Sequence, residues 1–119
     1  MHGRFFRNGT WATVEHLTDT LSCLTGLETD VSERGKGQAR RILKTIVEEA
    51  DAEGIEMFLQ AEPHPDTDPG KLRALYQSVG FIPAEQLTTY RWRKLRKEIG
   101  PCYREVIMYR PKSGRSGNA

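Results

Sequence analysis

The clearest pattern of apolar and polar positions lies in the middle of the chain, between residues 37 and 53. Apolar side chains recur there at spacings of three and four, the period of one face of an α-helix. They are Ala39, Ile42, Leu43, Ile46, Val47 and Ala50. Gly54 follows, and glycine is common just after a helix because it readily adopts the left-handed conformation there. The pattern predicts a helix from about Gly37 to Glu53.

Three strands are predicted before this helix. Residues 4–7 and 10–17 are rich in aromatic and β-branched side chains, and the dipeptide Asn8-Gly9 between them favours a two-residue hairpin turn. Residues 20–29 form a third run, which we expect to pair antiparallel with the second. Gly26 inside this run suggests a β-bulge or a ligand that approaches the backbone closely.

After the helix, the short apolar run at residues 56–61 predicts a buried strand parallel to the strand before the helix. Residues 62–70 contain three prolines and several acidic side chains, so we expect a surface loop. A second, shorter helix is predicted over residues 71–79, ended by Gly80. Residues 81–82 begin another strand.

The last third of the chain is harder to interpret. Residues 88–92 fit a strand, residues 93–98 fit either a helix or an exposed hairpin arm, and residues 105–109 fit a final antiparallel strand. We therefore expect one domain over residues 1–110. Residues 111–119 are predicted to be a disordered tail.

Composition narrows the classes of protein to consider. The 119 residues suffice for one modest core, and a formal net charge of +2 does not favour nucleic-acid binding by the whole molecule. Cys23 and Cys102 are too few for a disulfide scaffold and lack metal-ligand spacing, so we expect a reducing compartment and no metal site. No apolar run approaches the roughly 20 residues that span a bilayer, and the N-terminus lacks a signal sequence. These features predict a cytoplasmic protein without membrane contact.

Candidate chemistry lies in the turn Arg34-Gly35-Lys36-Gly37-Gln38-Ala39, between a predicted strand and the strongest helix. Glycines let the backbone approach a ligand, and the helix points unpaired N–H groups and its positive dipole end at this turn. The arrangement suits phosphate or pyrophosphate. It does not fit a dinucleotide fold of the Rossmann type, because Arg40 occupies the position of the third glycine.

Two segments resemble motifs of the GNAT superfamily of N-acetyltransferases. The turn at residues 34–39 is similar to that superfamily's acyl-CoA-binding signature, and Leu75-Tyr76-Gln77-Ser78-Val79-Gly80-Phe81 is similar to its Leu-Tyr-x-x-x-Gly-Phe motif. The resemblance implies an α/β (α+β) fold with a mixed, mostly antiparallel sheet that splays open at a central parallel strand pair. The expected order is β-β-β-α-β-α-β-β.

The resemblance also implies a reaction and its residues. Acetyl-CoA would be the acyl donor, held by the backbone of Leu27 and Thr29 and by the turn at residues 34–39. Tyr76 would be the general acid that protonates the departing CoA thiolate. The general base is not identified: Glu28, Asp30, Glu62 and His64 all lie near the expected cleft, and Glu28 and Glu62 are preferred. A primary amine would attack directly in a ternary complex, because no cysteine or serine lies where a covalent carrier is expected.

The chain also departs from the superfamily. Only about 30 residues precede the signature, so the usual first strand and helices are missing. Acceptor binding would then depend on residues 62–70, residues 84–100 or a second subunit, and uncovered strand edges predict a homodimer. Two alternatives stay open: a catalytically inactive acyl-CoA-binding module, and a nucleic-acid-binding module that uses the basic segment 91–97. The acceptor itself is not identified.

Overall fold

Strands and helices alternate along the chain in the computed structural model, which describes residues 3–29, 37–61 and 68–112. The strands are β1 (Gly3–Arg7), β2 (Thr10–Thr18), β3 (Leu21–Thr29), β4 (Glu56–Gln60), β5 (Ile82–Pro83) and β6 (Ile107–Arg110). The helices are α1 (Gln38–Glu53), α2 (Pro69–Ser78) and α3 (Thr89–Ile99). The predicted loop at residues 62–67 and the predicted tail from residue 113 onward lie outside the described residues.

The six described strands form one sheet in the order β1-β2-β3-β4-β6-β5. Neighbouring strands pair antiparallel, except for β3 and β4, which run parallel. The predicted hairpin is confirmed: Asn8 and Gly9 have φ angles of 45° and 79°, as a two-residue type I′ turn requires. The predicted mixed sheet with a central parallel pair is therefore confirmed.

Helices α1 and α2 pack on the same face of the sheet. The apolar stripe of α1 is buried as predicted, through Ile42, Leu43, Ile46, Val47 and Ala50. Its partners in the core are sheet residues that include Ala12, Val14, Leu24, Met57, Leu59 and Met108. Gly54 ends α1 at φ 69°, in the left-handed conformation that its position predicts. Burial of this stripe, not intrinsic propensity, holds α1 on the sheet.

The segment after β5 corrects the sequence prediction. Residues 88–92 do not form a strand, because the Thr88 side chain accepts a hydrogen bond from the Arg91 N–H at 3.2 Å and so caps the start of α3. The helical alternative for residues 93–98 is confirmed. One helix therefore stands between the last two strands, an element that the expected order lacked.

Helix α3 covers the sheet face opposite α1. Trp92, Leu95 and Ile99 recur at helical spacing and face the sheet, where their partners include Leu21, Phe58, Ile107 and Tyr109. This second apolar cluster extends over β3, β4 and β6. The segment at residues 84–100 therefore covers part of the sheet face opposite α1.

Arg110, at the end of β6, ties the two helices of the first face together. Its guanidinium donates to both carboxylate oxygens of Asp51 on α1, at 2.6 and 2.9 Å, and to the Val79 carbonyl after α2, at 2.8 Å. Gly80 has φ +101°, and a Cβ there would lie 2.9 Å from the Arg110 Nε. This site therefore requires glycine both for its backbone conformation and for space.

Among the described residues, no helix is long and apolar enough to cross a membrane.

Candidate active site

The parallel pairing covers only the first part of β3. Pairing of β3 with β4 runs from Leu21 opposite Glu56 to Leu24 opposite Leu59, but β3 continues to Thr29. In its pairing with β2, Gly26 lies opposite Thr13 and Leu24 opposite Val14, so Thr25 is an extra residue. The predicted bulge beside Gly26 is confirmed. A bulge increases local twist and bends its strand, and this one lies directly after the last pairing of β3 with β4.

The amino terminus of α1 provides unpaired backbone donors. Gly37 is the N-cap residue, with φ 77° and ψ 12°, and no side chain of the described residues caps the helix. The first intrahelical bond runs from the Arg41 N–H to the Gly37 carbonyl at 3.2 Å, so the N–H groups of residues 38–40 have no partner within the helix. The first turn also lacks an acidic side chain. These features favour an anionic ligand.

Only half of the predicted signature can be located. Gly37, Gln38 and Ala39 lie at the start of α1, whereas Arg34, Gly35 and Lys36 lie outside the described residues. Gln38 is buried, and within the described part of the chain its Oε1 atom has no hydrogen-bond partner. An unpaired buried amide oxygen costs about 1–3 kcal/mol. A ligand with an N–H donor would relieve this cost.

Tyr76 lies on α2 within the core of the α1 face. Its ring meets Phe81 edge-on, with 6.0 Å between ring centroids and an interplanar angle of 64°. The left-handed Gly80 lets the chain turn back, so that the Phe81 N–H donates to the Tyr76 carbonyl at 3.2 Å. None of the described residues hydrogen-bonds the Tyr76 hydroxyl. Burial raises the pKa of Tyr76, so the phenol remains a proton donor at neutral pH.

The predicted β3 residues lie beyond the last pairing with β4. Leu27 is half-buried against the α1 core, and the Thr29 hydroxyl accepts a hydrogen bond from the Thr10 hydroxyl at 3.0 Å. Glu28, between them, is exposed on the opposite face of the sheet. The other base candidates, Glu62, Asp30 and His64, lie outside the described residues.

An aromatic pair beside Glu28 was not identified from the sequence. Phe6 lies opposite Trp11 in the β1–β2 pairing, and Trp11 lies opposite Glu28 in the β2–β3 pairing. The three side chains therefore form a row across one face of the sheet, with neighbouring Cα atoms roughly 5 Å apart. Phe6 is 74% exposed and Trp11 is 38% exposed. The sequence could have revealed them, because successive side chains of a strand point to opposite faces. Phe6 and Trp11 occupy the positions that point away from the α1 core.

The basic segment 91–97 does not present the surface that the nucleic-acid alternative needs. Trp92 faces the sheet, and the Arg104 guanidinium lies 5.5 Å from the centroid of its ring. Arg104 is held there by hydrogen bonds to the carbonyls of Ala84 and Leu87, at 3.0 and 2.6 Å. The sheet and Arg104 therefore leave little of the Trp92 ring free for a base to stack on, which does not favour the nucleic-acid alternative.

Neither protein-family models nor curated protein sequences match the chain. Solved structures do match its fold. The ribosomal-protein-S18-alanine N-acetyltransferase from Escherichia coli is 21% identical with a TM-score of 0.64, over 99% of this chain and 74% of that one. The anti-CRISPR protein AcrVA5 is 13% identical with a TM-score of 0.63, over 90% of this chain and 95% of that one.

A GNAT family N-acetyltransferase from Escherichia coli, solved in complex with CoA, is 15% identical with a TM-score of 0.54. The match covers 85% of this chain and only 50% of that protein. Likenesses at these identities concern the fold, and the separated parallel strands, the start of α1 and the Tyr76 motif agree with it. The chain has the GNAT fold, the architecture of the N-acetyltransferases that it resembles.

Proposed function

We propose that the protein is an N-acetyltransferase that transfers an acetyl group from acetyl-CoA to a primary amine. The observation that carries this proposal is that β3 extends five residues beyond its pairing with β4, which leaves a gap in the sheet beside residues 25–29. The start of α1 follows β3 in the chain, and the buried Tyr76 shares an apolar cluster with Leu24 and Leu59. Acetyl-CoA has an anionic pyrophosphate at one end and a thioester at the other. The helix N-terminus therefore suits the pyrophosphate end of the donor, and Tyr76 suits the thioester end.

The donor would be held mainly by backbone groups. The N–H groups of residues 38–40 suit the pyrophosphate, with Arg34, Gly35 and Lys36 as further proposed contacts. The backbone of Leu27 and Thr29 would bind the acyl and pantetheine portion, with a strand N–H polarising the thioester carbonyl. The pantetheine arm contains amide N–H groups, the type of donor that the buried Gln38 oxygen lacks. These features support acetyl-CoA as the donor substrate.

The proposed reaction passes through the gap in the sheet. Tyr76 packs on the α1 face, whereas Glu28 is exposed on the opposite face. An amine that enters from the Glu28 side can lose a proton to Glu28 and attack the thioester carbon. The carbonyl then re-forms as the carbon–sulfur bond breaks, and the thiolate takes the proton of Tyr76. Glu62 is kept as the second candidate for the base.

Direct attack is proposed in preference to an acetylated enzyme intermediate. Cys23 is the only cysteine on the described part of β3, and burial together with the negative charge of Glu15 raises the pKa of its thiol to about 11. Such a thiol contains little thiolate at neutral pH. It also lies on the α3 face of the sheet, within the second apolar cluster. We propose a ternary complex in the cytoplasm; a homodimer remains a prediction.

The acceptor side includes the row of Phe6, Trp11 and Glu28. Aromatic faces and a carboxylate both attract a cationic amine, which supports this row as the entrance for the acceptor. Here the amine would arrive protonated and would lose one proton to Glu28 before it attacks. The second proton of the nitrogen, released as the amide forms, would return to the Tyr76 phenolate. The acceptor could be a small amine, an antibiotic, a protein N-terminus, a lysine side chain or a modified nucleoside.

The test is acetyl transfer to a panel of primary amines, followed by mass spectrometry of the products. Suitable probes are n-butylamine, spermidine, Nα-acetyl-lysine and a peptide with a free N-terminus. Glu28→Gln should lower kcat at least tenfold, while Glu15→Gln, at an exposed position on the neighbouring strand, should leave it unchanged. Saturable acetyl-CoA binding without transfer to any amine would contradict the proposal and support the inactive module.

A further inference from the structure

A cavity lies at the other end of the parallel strands, away from the candidate active site. It has a volume of about 470 Å³ and opens between α3, the starts of β3 and β4, and the residues after β6. Leu21 and Glu56, which line it, are the first residues of β3 and β4. Because β3 has nine residues, the far end of this strand is about 26 Å away. The cavity is therefore separate from the candidate active site.

The floor of the cavity is apolar. Leu21, Leu95 and Tyr109 are each at least nine-tenths buried and belong to the cluster beneath α3. Leu87 and Pro111 extend this apolar lining toward the opening. The volume is within the range of pockets that bind small molecules, about 300–1,000 Å³. A ring-sized group would contact these side chains and displace water from them.

The polar lining has an excess of positive charge. Arg91 and Lys94 lie one turn apart on α3, and Lys112 follows β6. The two carboxylates are Glu56 and Glu98. The Tyr109 hydroxyl donates a hydrogen bond to Glu56, so this carboxylate is already engaged within the protein. The three cations outnumber the two carboxylates of the lining, and one of these carboxylates already accepts a hydrogen bond. The lining therefore favours an anionic group.

The residues around the buried end also form a connected polar cluster. Glu56 accepts a hydrogen bond from the Tyr109 hydroxyl, and the positive charge of Arg91 partly offsets the rise in the pKa of Tyr109 that burial and Glu56 cause. Among the described residues Arg91 makes no ion pair, so its charge is available to a ligand. Tyr90, which is 73% exposed, lies at the rim, where its ring can stack on a bound ring.

We propose that this cavity is a binding site for a small ligand that combines a ring-sized apolar body with one carboxylate or phosphate group. The apolar body occupies the floor formed by Leu21, Leu95 and Tyr109, and the anion lies beside Arg91 and Lys94. The proposal does not depend on acetyl transfer, because the site shares no residue with the proposed reaction.

The experiment is a titration of the full chain, followed by two-dimensional ¹H–¹⁵N NMR. The probes are phenyl phosphate and phenylacetate, with inorganic phosphate, acetate and benzyl alcohol as half-ligands. We expect saturable chemical-shift changes at residues 18–21, 90–95 and 109–112. For at least one of the two aromatic anions, the Kd should be at least tenfold lower than the Kd of either of its half-ligands. The tighter of the two aromatic anions identifies the charged group.

Variants on the exposed side of α3 provide the control. Arg91→Gln should raise the Kd of the tighter probe about fivefold to tenfold, whereas Arg93→Gln, which removes the same charge outside the cavity, should leave it within twofold. Absence of saturable binding by either aromatic anion would overturn the proposal. Equal weakening by both variants, or shifts confined to other residues, would also overturn it, because the attraction would then be non-specific.

Discussion

Replacement of Tyr76 by phenylalanine separates the proposed chemical role of this residue from its packing. The ring of Tyr76 is 7% exposed and contacts Phe81, and phenylalanine preserves both the ring and its contacts. No described residue hydrogen-bonds the hydroxyl, so its removal leaves none of the described groups unpaired. We therefore expect the free energy of unfolding to change by no more than about 0.5 kcal/mol.

Tyr109→Phe is the matched control for stability. The Tyr109 hydroxyl donates to the Glu56 carboxylate, and a hydrogen bond to a charged group contributes about 1.5–3 kcal/mol when buried. Glu56 is only partly buried, which reduces the expected loss to about 1–2 kcal/mol. Urea denaturation should therefore show that Tyr109→Phe destabilises the protein more than Tyr76→Phe does.

Catalysis should follow the opposite order. A general acid contributes about 10²–10⁴-fold, and a thiolate is a fairly good leaving group, so Tyr76→Phe should lower kcat by about 10–100-fold. Tyr109→Phe should retain near-normal kcat. Since burial raises the pKa of Tyr76, the wild-type rate should not decline through deprotonation of this group below about pH 10. The assay is chromatographic measurement of released CoA with saturating acetyl-CoA and amine.

Two results would refute this reasoning. If Tyr76→Phe kept the full kcat, the hydroxyl would have no part in the reaction. If Tyr76→Phe lost as much stability as Tyr109→Phe, its hydroxyl would have a structural partner, and a lower rate could not be attributed to proton transfer.

Three further predictions concern stability and reactivity. Arg110→Met should lower the free energy of unfolding, measured by urea denaturation, by about 2–3 kcal/mol. In the double variant with Asp51→Ala the two losses should be strongly non-additive, and additive losses would contradict a direct ion pair. Asp68→Ala should lower the free energy of unfolding by about 1 kcal/mol, because the Asp68 side chain caps α2 by accepting a hydrogen bond from the Gly70 N–H at 2.8 Å. An unchanged midpoint of urea denaturation would argue against this cap. The folded state keeps Cys23 protonated to about pH 11, whereas the unfolded chain releases this proton near pH 8.5. Stability should therefore decrease as pH rises above 8.5, and Cys23→Ala should reduce this slope; an equal slope in the variant would exclude Cys23 as its source.

The elements that could be predicted are those with local signals. Helix α1 has an uninterrupted apolar stripe and a glycine at each end. The Asn8-Gly9 dipeptide is a local signal of about four residues that predicts the turn between β1 and β2. The bulge beside Gly26 was also indicated locally. For α2, the helix begins two residues earlier than predicted because Asp68 caps it and Pro69 fits the first turn.

The remaining features depend on contacts between distant segments. Thr88-Thr89-Tyr90-Arg91-Trp92 has the composition of a strand, but the Thr88 cap and burial of Leu95 on the sheet outweigh that local preference. The Phe6–Trp11–Glu28 row depends on the register of two successive strand pairings. The cavity beside α3 joins residues from four stretches of the chain, at 18–21, 56, 87–98 and 109–112. None of these arrangements follows from a single stretch of sequence.

The central claim is that the start of α1 binds the phosphates of acetyl-CoA, and a pair of glycine variants tests it most directly. Gly37 and Gly54 lie at opposite ends of α1, with φ angles of +77° and +69°, and neither has an atom within 4 Å of an added Cβ. Glutamate therefore adds similar backbone strain and the same charge at both sites. We propose isothermal titration of each variant and the wild type with acetyl-CoA.

The account predicts saturable binding by the wild type and by Gly54→Glu, and at least tenfold weaker binding by Gly37→Glu, because its carboxylate would repel the pyrophosphate. Circular dichroism should show that both variants remain folded. Equal binding by all three proteins, or no binding by the wild type, would contradict a phosphate site at the start of α1.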